Sequence, residues 1–150
     1  MFKLLFAVHL LFAIFAIGPL VHAATTASRG VRKGDGAATA AAARMLRIYS
    51  NVSVLVVIAG GALMSLDDPD HPGEKVAKFT EPWIWLSLLL WFLAVGLTQA
   101  VIIPSLTEAG AKIGRQESVS ALTARVGAAG GVVGLIFAGI VFLMVYQPGS

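Results

Sequence analysis

The sequence has no cysteine, which removes disulfides, thiolate metal sites, iron–sulfur clusters and cysteine nucleophiles together. Charge is scarce too: Asp, Glu, Lys and Arg make up 13% of the 150 residues, and no carboxylate falls inside the long apolar runs. There is no nucleophile elbow, no His-Glu-x-x-His pair, no Walker loop and no GxGxxG turn. These absences argue against an enzyme. The net charge of +3 is no nucleic-acid signal either, because the basic residues gather beside the apolar runs.

What is present is apolar surface, at 57% of residues with a mean hydropathy of +0.84. It is organised into four runs at about 4–21, 48–66, 83–103 and 126–145. A hydrocarbon core of ~30 Å needs ~20 helical residues, so each run is long enough to span it. Backbone polar groups in lipid must be satisfied within their own segment, which makes each run a helix. The expected fold is an all-α membrane protein, a single domain over 1–150 built as a four-transmembrane-helix up-down bundle. No room remains for a separate soluble domain.

Charge sets the expected orientation. Arg29, Arg32, Lys33, Arg44 and Arg47 flank the first connection, and Lys112, Arg115 and Arg125 the third. The second connection (DDPDHPGEKVAKFTE) is mostly acidic. The positive-inside rule puts connections one and three in the cytoplasm and both termini outside a bacterial plasma membrane. The opening MFKLLFAVHLLFAIFAIGPLVHAA also has a signal-peptide-like end, but its apolar stretch exceeds the usual ~7–15 residues. Removing it would place an arginine-rich loop outside. It is read as an uncleaved first span.

The connections differ in character. The first, about Ala24 to Leu46, is expected to be long, with Asp35 capping a second helix that begins near Ala37. Thr80-Glu81-Pro82 reads as a helix start with Thr80 as the cap. The third is expected to turn through Gly110 and Gly114, and Pro19 and Pro104 to end their helices. A faint repeat relates the second and fourth runs, each with a basic end, an Ala-Gly step and a distal methionine. Trp83, Trp85 and Tyr146 fall at the outer interface, where amphipathic rings are enriched, and Trp91 lies deeper, as a packing or lipid-facing residue.

The fourth run carries the clearest packing signal. Gly127 and Gly131 form one small-residue row, and Gly130, Gly134 and Ala138 a second. Lipid supplies no hydrophobic drive for helix association, so close approach across small residues does much of that work. Either both rows pack within the chain or one meets a partner. Polar residues in the spans form an inner layer, His22, Arg47, Ser50, Asn51, Gln99 and Arg125, of which Arg47, Asn51, Gln99 and Arg125 suit interhelical hydrogen bonds or phospholipid headgroups. On the outer side His9, His71, Met64 and Met144 are weak metal candidates, since imidazole and thioether suit copper. Their spacing matches no ligand motif, and no cofactor is expected.

The opening KLLFAVHLLFAIFAIGPLVHAA, the basic Ala-rich connection and the small-rich second and fourth runs resemble a family of small four-helix bacterial membrane proteins of unknown function. That family is distantly similar to the membrane domain of CopD-type copper-resistance proteins, whose first-helix histidine His9 matches. The other polar positions of the copper proteins are not evident in this sequence. The Ala/Gly/Val-rich style looks actinobacterial, and the size and layout are similar to association factors of the cytochrome bcc–aa3 respiratory supercomplex. These resemblances imply a non-catalytic accessory subunit partnered by other integral membrane subunits, with copper or other metal handling as the alternative.

Because the chain lacks cysteine, single cysteines introduced at Gly34 and Gly149 report on orientation. An impermeant thiol reagent applied to intact cells is expected to label the Gly149 variant and spare the Gly34 variant. The reverse pattern would invert the topology.

Overall fold

The computed structural model describes residues 1–70 and 73–149. Among these, four helices are long and apolar enough to cross a membrane: α1 (Phe2–Arg32), α2 (Gly36–Met64), α3 (Pro82–Gly114) and α4 (Ser120–Tyr146). No strand occurs among the described residues, only an isolated bridge between Asp67 and Lys75 in the acidic connection.

Local chemistry accounts for most of the boundaries. Asp35 Oδ1 accepts the Ala38 N–H at 2.9 Å, and the alanines beyond it favour helix. Gly34 stands just before, at φ +66, a backbone region that costs glycine nothing. α3 starts with Pro82 in its first turn, where a missing N–H does no harm, but Glu81 rather than Thr80 occupies the cap position.

Three expectations about the connections are corrected. The first connection is not long: α1 stays helical to Arg32 and leaves only residues 33–35 as a turn before the second helix, which starts at Gly36, close to where it is expected. α3 runs through Gly110 to Gly114, so the third turn is 115–119. Pro19 and Pro104 end neither helix. Each sits directly after a widened π turn, Ala13–Ile17 in α1 and Thr98–Ile102 in α3. Proline lacks an N–H and its ring crowds the carbonyl four residues back; a widened turn relieves both and lets the helix continue. α1 has 31 residues, about 46 Å at 1.5 Å rise, which exceeds the hydrocarbon core by about 16 Å.

Each helix packs on its sequence neighbours, and α4 packs back on α1. The turns 33–35 and 115–119 share one end of the bundle, where Gly36 approaches Ile113. In this turn end the core is densest: Leu20, Val31, Leu46, Ile102, Leu106 and Val126 are fully buried. Leu20, Ala23, Ala24, Ala27 and Val31 recur at helical spacing and explain why α1 stays helical beyond the apolar run. At the opposite end a smaller cluster of Ala77, Trp83 and Ile84 takes in Met64 and Leu143. There the first stretch of α1 rests mainly on α2 and leaves Leu4, Phe6, Ile14 and Phe15 exposed, as a lipid-facing surface requires.

The turn 115–119 is tied by Arg115 Nε donating to Glu117 Oε1 at 2.7 Å. That hydrogen bond holds the Glu117 carboxyl below the usual carboxylate range and raises the Arg115 guanidinium.

The tightest contact joins α1 and α4. A Cβ on Gly130 would collide with the Ala24 carbonyl oxygen and lie 2.8 Å from its carbon, and backbone cannot swing aside. Gly130→Ala is expected to lower stability by about 1–3 kcal/mol, the cost of overpacking. Gly131→Ala, with nothing within 4 Å, is expected to be neutral or slightly stabilising. Thermal unfolding of the two variants in detergent checks both.

Candidate functional site

Polar side chains inside an apolar bundle are costly, so their arrangement is where function or specificity is sought. α2 is interrupted at Ser53, where Val56 N–H bonds the Ser53 carbonyl at 3.0 Å and tightens the turn. Ser53 Oγ donates to the Ser50 carbonyl at 2.6 Å, and Ser50 Oγ to the Arg47 carbonyl at 3.3 Å. Such local bonds compete with the helix ladder and bend it. Each hydroxyl then accepts from α3: Trp91 Nε1 donates to Ser53 at 3.1 Å and Gln99 Nε2 to Ser50 at 2.7 Å. Gln99 Nε2 also reaches Asn51 Oδ1 at 3.2 Å. The result is a polar zip between α2 and α3, with Ser50 and Ser53 fully buried.

Of this zip, Asn51, Gln99 and Ser50 were expected, and of the two readings of Trp91, packing or lipid-facing, the structure shows it hydrogen-bonded inward; Ser53 was missed. The signal was there, since Ser53 is a polar residue in an apolar run one turn from Ser50. Spacing alone does not say which helix faces it.

Arg47 and Arg125 do not join this zip, nor each other. Arg47 lines a groove of about 360 Å³ between α2 and α3 with Arg44. Arg125 lines a separate groove of about 250 Å³ between α3 and α4, shared with Glu108 and Pro104. The expected single inner layer is therefore a zip and two grooves.

The glycine rows of α4 also divide differently. Gly127, Gly130 and Gly134 all face α1, meeting Ser28, Ala24 and Thr25. Gly131 and Ala138 are exposed, on a face continued by Ala124, Ala128 and Leu135. The rows read from i, i+4 spacing thus regroup, because both mix faces: Gly127 points inward and Gly131 outward, and Gly130 and Gly134 point inward while Ala138 points outward.

The four metal candidates are not brought together. His9 is buried against α2, its Nδ1 3.1 Å from the Val56 carbonyl and its ring against Gly60. A carbonyl only accepts, so Nδ1 carries the proton in this contact. Met64 packs with Trp83 and Ala77, Met144 is exposed on α4, and His71 lies outside the described residues. Among the described residues no three His, Cys, Asp or Glu side chains cluster as a metal site. The acidic connection spends its groups internally: Lys75 Nζ binds Asp67 at 2.8 Å, and Trp83 Nε1 donates to Glu81 at 2.7 Å.

No protein-family model, curated protein or solved structure matches the chain. The resemblances to four-helix and association-factor families accordingly carry no residue roles.

Gln99→Leu is expected to cost about 1 kcal/mol, between the ~0.6 kcal/mol average and the ~1.7 kcal/mol maximum for interhelical hydrogen bonds in membranes. A double-mutant cycle with Ser50→Ala checks it: the two losses are expected to be less than additive, because both remove one bond.

Proposed function

We propose that the chain is a non-catalytic accessory subunit that packs by helix contacts against a larger integral-membrane assembly of the plasma membrane. In this reading the four helices form an up-down bundle with both termini outside, as the charge distribution favours. The observation that carries the proposal is the outward face of α4. Ala124, Ala128, Gly131 and Ala138 expose small residues on one face, with Leu135 standing out between Gly131 and Ala138, while the glycines that close the bundle already face α1. A helix that only faced lipid would have no use for such a face, whereas a partner helix uses it for close approach. The similarity in size and layout to supercomplex association factors points to a respiratory assembly of the bcc–aa3 type as the partner, and anionic phospholipid as the surrounding ligand.

The test is extraction in a mild detergent followed by identification of co-migrating proteins. The wild-type chain is expected to travel with integral subunits of one assembly. Gly131→Leu combined with Ala138→Leu is expected to reduce the retained partner at least tenfold and leave the thermal stability of the isolated chain unchanged. Wild-type migration as a lone monomer would sink the proposal.

A further inference from the structure

Arg44 and Arg47 lie three residues apart on α2, which places both guanidinium groups on one face. Both are exposed, and among the described residues no hydrogen bond or ion pair engages either side chain. Nearby carboxylates are committed or turned elsewhere: Asp35 caps α2, Glu117 holds Arg115, and Glu108 lines the other groove. Across the groove, α3 presents Leu106, Thr107 and Gly110. The Thr107 hydroxyl already donates to the Ile103 carbonyl at 3.0 Å, which leaves the two arginines as the groove's free donors. Gly110 and Ala43 keep the walls low; a Cβ on Gly110 would meet nothing within 4 Å.

We propose that this groove binds the phosphodiester headgroup of one anionic phospholipid. Arginine pairs supply forked donors matched to phosphate oxygens, and basic pockets between spanning helices suit such headgroups. The position favours a lipid over free phosphate. Arg47 adjoins the start of the apolar run, and Ile48, one turn from Arg44 toward it, is 50% exposed, so acyl chains can lie alongside while the phosphate sits between the guanidiniums. The second groove has comparable size but places Glu108 beside Arg125, and a carboxylate there repels an anion. The proposal stands whether or not a partner subunit docks on α4.

Titration of the purified full chain with short-chain phosphatidylglycerol, read by native mass spectrometry, tests it. One lipid per chain is expected to bind. Arg44→Gln and Arg47→Gln should each weaken it about fivefold, as removal of one cation near an anionic surface predicts. Gly110→Leu, which fills the groove and favours the helix, should abolish it without loss of thermal stability. The charge-matched pair Arg29→Gln and Arg32→Gln should leave it unchanged. Equal binding of phosphatidylcholine, competition by inorganic phosphate at the same concentration, or an equal loss in the Arg29/Arg32 variant would each overturn the proposal.

Discussion

Where Gly130 of α4 rests on the Ala24 carbonyl of α1, no side-chain atom stands between the two backbones, and the rest of the turn end follows from that approach. It brings Gly127 to Ser28 and Gly134 to Thr25, and it buries Ala23, Ala24 and Ala27. α1 in turn comes close to α2, where a Cβ on Gly30 would lie 3.2 Å from the Thr39 backbone nitrogen. In lipid such approaches gain dispersion contacts that larger residues would forfeit. Small residues are what hold this end shut.

A second constraint lies at the level of the polar zip. The π turn of α1, the break of α2 at Ser53 and the π turn of α3 meet there, since both π turns pack on the first half of α2. Widened turns and serine back-bonds each disturb a helix ladder, so the freed groups need partners. The serine hydroxyls take up carbonyls of α2, and Trp91 and Gln99 donate in turn to those hydroxyls, tying α3 to α2. The zip therefore sets the register of these two helices by hydrogen bonds, whereas α1 and α4 are matched by shape.

This division leaves two surfaces with unused capacity. α4 turns its outward small residues to the bilayer after its inward glycines have met α1. α2 turns Arg44 and Arg47 to a groove that no carboxylate lines. In the readings proposed above, one surface receives a helix and the other an anion.

Much of this was legible in the amino-acid order. Length and hydropathy dictated the four spans, because hydrocarbon tolerates only internally bonded helices of that length. Asp35 announced the start of α2, and the polar residues within the runs named most of the zip. Helix extent was not legible past residue 21, because His22–Arg32 has weak intrinsic propensity and stays helical only by burying Ala24, Ala27 and Val31 against other helices. Nor could the prolines be read correctly: whether a proline ends a helix depends on whether packing beyond it rewards a widened turn. The glycine rows and the arginines were visible as residue types, yet their partners were decided by tertiary structure alone. Spacing gives a residue's angle around its own helix, and only the packed bundle decides whether that angle meets another backbone, a groove or lipid.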